Sequence, residues 1–365
     1  MKAVVTRNRQ LVLDTVPDPL PGSGQVLVKS LACGICGSDL HALKHMDRMV
    51  EATVKSNFGE AGPMTMDPGG DIVFGHEFCA EIVDYGPDTT RSLAVGTRVC
   101  SVPMILGPAA TGAIGYSNSF YGGYGEYLLL QEGLMLPVPN GLPTEQAALT
   151  EPFAVGLHAV NKAQPGKDDV FMVIGCGPIG LAVIAALKSR GLGPVVAADF
   201  SPARRRLAET LGADVLVDPA QESPYAKWED LGVPRTAAQQ MMAEMMGTSA
   251  RRPVLFECVG VPGILQTLME GSPTGARIVV VGVCMEPDRI EPFVAINKQL
   301  ELHFVLGYTP EEFAQTLHGI AAGEILAHPI VTGHVGLAGV AQAFEDLGNP
   351  EAHSKILVHP WEAAV

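Results

Sequence analysis

Three short segments of the chain carry side chains that suit a metal ion. Cys36 lies in Cys33-Gly34-Ile35-Cys36-Gly37-Ser38-Asp39-Leu40-His41, His76 in Gly75-His76-Glu77, and Glu151 in Thr150-Glu151-Pro152. A thiolate, an imidazole and a carboxylate together match a borderline-soft ion such as Zn²⁺, and three protein ligands leave a fourth position open for water or substrate. An open position marks a catalytic ion rather than a structural one. No single segment is decisive; the residues C-terminal to them make them a set.

Beyond Glu151 the chain carries a dinucleotide fingerprint. Val170-Phe171-Met172-Val173-Ile174 is an apolar run that breaks into Gly175-Cys176-Gly177-Pro178-Ile179-Gly180 and then a helix-like stretch to Arg190. A buried strand that turns on glycines into a helix N-terminus presents backbone N–H groups and the helix dipole to a pyrophosphate, which makes Gly175, Gly177, Pro178, Ile179 and Gly180 cofactor-binding candidates. Pro178 fits the first helical turn, where its missing donor is not needed. The next strand, Pro194 to Ala198, ends in Asp199, placed to accept from a ribose 2′-hydroxyl. Val170 to Leu187 also meets the length of a membrane span, but the clustered glycines and Pro178 argue for strand, turn and helix instead.

A carboxylate at Asp199 repels a 2′-phosphate, so NAD is expected over NADP. Arg204, Arg205 and Arg206 pull the other way, because arginine accommodates that phosphate. Ser201-Pro202 reads as a helix cap and first turn, which brings the arginines near the adenosine, and Arg204 is assigned to the cofactor site.

With these motifs in place, the chain resembles the zinc-dependent alcohol dehydrogenases of the medium-chain dehydrogenase/reductase superfamily over essentially its whole length. The family's Cys-Gly-Ser-Asp-x-His pattern falls on Cys36 to His41, its Gly-His-Glu on Gly75 to Glu77, and its Gly-Asp-x-Val on Gly96-Thr97-Arg98-Val99. The Glu-Pro of the polyol, sugar and threonine dehydrogenase branch falls on Glu151-Pro152. Phe256 to Gly260, Val280 to Gly282 and Lys355 to Val358 resemble later strands of the family. The resemblance implies a GroES-like β-barrel catalytic domain, residues 1–155 completed by 297–365, and a doubly wound Rossmann domain, residues 156–296. It implies hydride exchange between an alcohol and a nicotinamide, with the zinc-bound alcohol losing its proton to Ser38 and His41 relaying that proton to solvent. For His41 a plain surface histidine is the alternative. Glu77 would approach the metal or sit just behind it, and Asp39 would fix the loop or orient a ligand. A homodimer or homotetramer through the cofactor-domain edges is also implied.

Two departures limit the carry-over. Relatives with a structural zinc hold it with four closely spaced cysteines, whereas Ser101 to Gly125 contains none, so one catalytic zinc and no structural zinc is expected. Forty positions separate Cys36 from His76, and Met46 to Asp71 reads as an inserted irregular loop. Phe58 and Met64 there either line the substrate pocket or belong to a surface excursion. Met104, Tyr116, Tyr121 and Phe153 are candidates for either the pocket or the core.

The elements that must position these residues emerge from pattern. Residues 1 to about 135 give short β-like stretches broken by Gly and Pro, including Leu11 to Leu13, Gln25 to Leu31, Ile72 to Phe74, Ala80 to Val83 and Glu126 to Leu130. A helix is predicted from Thr144 to Lys162, and from Val170 strands and helices alternate, the mark of a parallel α/β sheet. The Met241 to Met246 stretch reads as a helix whose methionines pack.

A chain of 365 residues is too long for one ordinary core. With 47% hydrophobic and 17% charged residues it can bury two. The net charge of −15 argues against nucleic acid and against an anionic membrane as partner, leaving a small-molecule alcohol or carbonyl compound. Seven scattered cysteines and a start, Met1-Lys2-Ala3-Val4-Val5, without a signal-peptide pattern point to the cytoplasm. Two other functions fit parts of the chain. A zinc-free reductase of quinones or activated double bonds would not need Cys36, His76 and Glu151 together, and a non-catalytic NAD-binding redox sensor would not need Ser38 and His41 beside them.

Overall fold

The computed structural model describes residues 1–62, 65–107, 111–247 and 251–362. The chain divides into two units, one of residues 1–151, 313–323 and 331–365, the other of residues 152–312 and 324–330.

The first unit is built on a seven-stranded sheet. In spatial order its strands are Val331–Val335, Lys355–Val358, Gln25–Gly34, Glu77–Tyr85, Arg98–Ser101 and Met135–Pro137, with Tyr127–Gln131 also paired to Gln25–Gly34. All pairs are antiparallel except the first. Burial alternates along most of Gln25–Gly34, so one of its faces supplies Val26 and Val28 to the core, and Cys33, past a register shift, joins the same cluster. Ile72, read as part of a strand, makes only an isolated bridge to Thr6.

Helix α1 (Gly37–Ser56) corrects the loop reading of Met46 to Asp71. Leu40, Leu43, Met46, Met49 and Val50 recur three and four residues apart and pack on the core, and that burial carries the helix ten residues past Met46, with a kink at His45. Phe58 lies beyond its end and is 99% exposed, while Met66 is buried. Pro63 and Met64 lie outside the described residues. Two further helices come after the sheet strands of this segment, α2 (Thr144–Ala148) and α3 (Thr150–Ala163).

The second unit holds a parallel sheet of Val215–Val217, Val195–Ala198, Val170–Ile174, Pro253–Glu257, Arg277–Val280 and Glu301–Phe304. Counted along the chain this is the order 3-2-1-4-5-6 of a dinucleotide-binding fold. Val170–Ile174 and Pro253–Glu257 are buried throughout, as strands covered on both faces must be, which is why the first is an unbroken apolar run and the second is apolar up to its final Glu257. The run from Val170 breaks into that strand and helix α4 (Pro178–Ser189), so the membrane-span alternative does not describe it. Helix α5 (Pro202–Thr210) comes after the second strand, capped by Ser201, whose Oγ accepts from Arg204 N.

Two expectations change here. Glu301–Phe304 is the sixth strand of the parallel sheet, so residues 297–312 group with the cofactor unit rather than with the returning catalytic segment. Met241 to Met245 do fall in a helix, Ala237–Met245, but Met241, Met242, Met245 and the adjacent Met246 are exposed rather than packed.

Candidate active site

Strand register brings the distant ligand segments together. Gly34 pairs with Glu77 and Cys33 with Phe78, so Cys36, just past one strand, meets His76, just before the other. Lys355–Val358 pairs on the opposite side, Leu357 to Gly34. A Cβ at Gly34 would overlap the Glu77 carboxylate, so only glycine lets that side chain cross the sheet here. The ligand atoms of Cys36, His76 and Glu77 lie within 4.8 Å of one another.

Asp39 organises this cluster. Its buried carboxylate accepts from Tyr124 Oη at 2.6 Å, from Tyr116 Oη at 2.7 Å and from the Cys36 N–H at 3.3 Å. Burial alone would push its pKa up, but His76 and the two phenols outweigh that and hold it below the usual carboxylate value. His76 Nδ1 stands 3.3 Å from Asp39 Oδ1, yet off hydrogen-bond geometry, and is buried with no protein partner. A metal-bound imidazole typically gives its second N–H to a carboxylate, and Asp39 is the carboxylate in place. This donor set, a thiol beside an imidazole whose Nδ1 is backed by a carboxylate, fits a zinc ion.

Of the predicted carboxylates, Glu77 is nearest Cys36 and His76, but it is engaged. Lys355 Nζ donates to both its oxygens, at 2.7 and 2.6 Å, and to Ile35 O at 2.9 Å. The pair is buried; desolvation pulls Lys355 down, but Glu77 and then Cys36 carry its pKa above the ordinary value. Glu151 is buried in the first turn of α3, outside the 4.8 Å cluster, and its charge also acts on Lys355.

Ser38 Oγ lies 3.0 Å from Cys36 Sγ and 2.7 Å from Tyr116 Oη, whose own proton goes to Asp39. The Tyr116 ring packs beside His76, centroids 5.1 Å apart. His41 lies one helical turn beyond Ser38 on α1, half-buried, with no hydrogen bond to Ser38. Its burial, then His45 and Lys44, lower its pKa, so it is a neutral base at neutral pH.

In the second unit, Gly177 precedes α4, Pro178 opens it, and Ile179 and Gly180 fill its first turn. A Cβ at Gly180 would overlap the Gly175 carbonyl oxygen, so glycine is required where helix and strand pack. Asp199 Oδ2 accepts from Cys176 N and Oδ1 from Ser201 N, each at 2.8 Å, which ties the acid at the second strand to the glycine turn. Arg204 approaches Asp199 at 3.9 Å, whereas Arg205 is occupied by the Asp199 and Phe200 carbonyls and by Asp218.

The comparisons with known proteins match this geometry. Residues 22–140 match the alcohol dehydrogenase GroES-like domain and residues 178–322 the zinc-binding dehydrogenase family. The (R,R)-butanediol dehydrogenase of Bacillus subtilis (strain 168) is 31% identical over 99% of this chain and 100% of its own. The chain belongs to the zinc-dependent alcohol dehydrogenases of the medium-chain dehydrogenase/reductase superfamily. Within these dehydrogenases it falls in the polyol-like branch: sorbitol dehydrogenase of Bos taurus is 28% identical over 94% of this chain and 92% of its own. The crystal structure of 2R,3R-butanediol dehydrogenase from Bacillus subtilis superposes with a TM-score of 0.77 at 29% identity, covering 98% of this chain and 99% of that one. A zinc-binding dehydrogenase of Sinorhizobium meliloti bound to NADP gives 0.77 at 25% identity, covering 98% and 99%. The protein is thus a zinc- and nicotinamide-linked alcohol dehydrogenase that interconverts an alcohol and its carbonyl compound, with a GroES-like domain and a Rossmann domain. The zinc-free reductase and the redox sensor are not favoured. None of its described helices is long and apolar enough to cross a membrane.

Sequence reasoning missed Lys355 and Tyr124 and left Tyr116 between pocket and core. Lys355 had a signal: a lone cation in the strand Lys355-Ile356-Leu357-Val358 must find a buried counter-ion. For the tyrosines no local pattern announces the shared acceptor.

Proposed function

We propose that Cys36, His76 and Glu151 hold one catalytic zinc, and that the chain oxidises a secondary alcohol of a vicinal diol or polyol with NAD. The observation that carries the reading is the buried His76 imidazole clustered with the Cys36 thiol and backed at Nδ1 by the Asp39 carboxylate. Glu77 is read as the counter-ion of Lys355 rather than the third ligand, because both its oxygens already accept from Nζ. When bound, the zinc supplies a Lewis acid that lowers the pKa of a hydroxyl in its open position. Ser38 takes the substrate proton as it gives up its own, its Oγ held 2.7 Å from Tyr116 Oη. His41, uncharged near neutrality, carries the proton outward.

Gly175, Gly177, Pro178, Ile179 and Gly180 cradle the pyrophosphate, and Asp199 receives the ribose hydroxyls. NAD is favoured because the Asp199 carboxylate would repel a 2′-phosphate, and Arg204, 3.9 Å from it, partly offsets the charge. The substrate class rests on the polyol-like relatives. Self-association through the cofactor unit is supported by the edge strand Glu301–Phe304 and its surroundings, where Phe293, Ile296, Phe304 and Leu306 are exposed. A reducing, cytoplasmic setting suits seven free thiols. The test is nicotinamide reduction across primary alcohols, diols and polyols with both cofactors. Preference for a vicinal diol with NAD is expected; turnover confined to primary alcohols, or a clear NADP preference, would overturn the respective part.

A further inference from the structure

The first unit carries a second cluster of metal-ligating side chains, unrelated to the active-site residues. His334 lies on the strand Val331–Val335 and His359 directly follows the strand Lys355–Val358. These strands are parallel, with His334 opposite Leu357. Side chains alternate along a strand, so His359, two residues after Leu357, projects from the same face as His334. The His359 N–H donates to Val335 O at 2.8 Å, which extends the ladder and fixes that orientation. Glu145, in the first turn of α2, completes the group.

The distances are those of a ligand set. His334 Nδ1 and His359 Nε2 are 3.1 Å apart, and each lies 3.5 Å from Glu145 Oε1. A tetrahedral zinc with N and O ligands at about 2.0–2.1 Å has ligand-to-ligand edges of about 3.3–3.4 Å. One point therefore lies at bonding distance from all three atoms, slightly out of their plane, with the fourth position open. The side chains are 45%, 15% and 47% exposed for His334, His359 and Glu145, so an ion can enter from solvent. Two imidazoles and a carboxylate select a borderline divalent ion over Mg²⁺ or Ca²⁺.

We propose that Glu145, His334 and His359 form a second, surface zinc site that ties the C-terminal strands to α2. It differs from the four-cysteine structural site whose ligands the chain lacks, and it does not depend on the catalytic assignment. Helix α2 leads directly into α3, which begins with Thr150-Glu151, so an ion here braces the segment that delivers Glu151.

The test is equilibrium dialysis of the full chain against buffered zinc, counting zinc per chain in wild type, H334A, H359A and E145Q. Circular dichroism and turnover serve as checks on folding. Wild type should hold one more zinc than H334A or H359A, and only wild type should gain Tm when zinc is raised to saturate this site. Equal zinc in wild type and both histidine variants overturns the proposal, whether the common value is one or zero. A second zinc that both variants retain places the ion elsewhere and overturns it equally. E145Q should weaken the extra zinc while leaving turnover intact; unchanged affinity would remove Glu145 from the site.

Discussion

Replacing Asp39 with asparagine perturbs the active site at its most connected point. The carboxylate accepts from Tyr116, Tyr124 and the Cys36 N–H and stands beside His76, so it fixes the Cys36 loop and the imidazole at once. Asparagine keeps the shape but offers one oxygen and one donor, so a buried phenol then faces an NH₂ group. Leaving one such hydroxyl without its acceptor costs about 1–3 kcal/mol. Loss of a carboxylate that orients a metal-ligating histidine typically costs 10–100-fold in metal affinity, or about 1.4–2.7 kcal/mol. D39N should therefore show a lower urea midpoint and zinc binding weakened roughly 10–100-fold, read by competition with a chromophoric chelator. Turnover at saturating zinc should fall as well, because Tyr116 also supports Ser38. Unchanged zinc affinity in a folded D39N protein would refute the claim that Asp39 orients the metal site.

Other expectations rest on the same geometry. Lys355→Met strands Glu77 as an uncompensated buried charge and should cost about 3–5 kcal/mol in urea unfolding, much of it recovered in the E77Q/K355M double variant; a K355M protein as stable as wild type would contradict the ion pair. Ser38→Ala removes the proposed proton acceptor and should lower kcat about 10²–10⁴-fold with KM little changed; undiminished kcat would exclude Ser38 from the relay. Glu312 accepts from Asn161, pairs with His158 at 2.7 Å and accepts from Thr309 N; burial pushes its pKa up, but these partners outweigh that and hold it below 4.5. Its contribution to stability is thus fully present above that pH and is lost as pH falls through the lower folded value. E312Q should flatten the acid limb of a stability–pH curve, and superimposable limbs for the two proteins would contradict it.

The active-site motifs were legible because each is local. Cys36 to His41 and Gly175 to Gly180 are single turns whose chemistry needs those residue types at that spacing, and the order of strand, glycines, helix and Asp199 is visible in one pass. The hidden features are long-range. Lys355 meets Glu77 across 278 positions of sequence, through a register that no local pattern encodes. The helical reach of α1 past Met46 was obscured because the apolar stripe of Met46, Met49 and Val50 merges into a Gly- and Pro-rich segment. The exposed methionines of Ala237–Met245 show the converse: a helical spacing of apolar residues sets the element but not whether anything covers it. The sixth parallel strand, Glu301–Phe304, was missed because it is short and open at one edge, and its residues Glu301-Leu302-His303-Phe304 alternate instead of forming an apolar run.

The most direct test of the account is zinc per chain and NAD-linked turnover in wild type, C36S, E151Q and E77Q, prepared in the H334A background so that only the active-site ion is counted. The account predicts one zinc in the parent and in E77Q, and loss of both zinc and turnover in C36S and E151Q. Full zinc retention in C36S, or retention in E151Q with loss in E77Q, would contradict the ligand set of Cys36, His76 and Glu151.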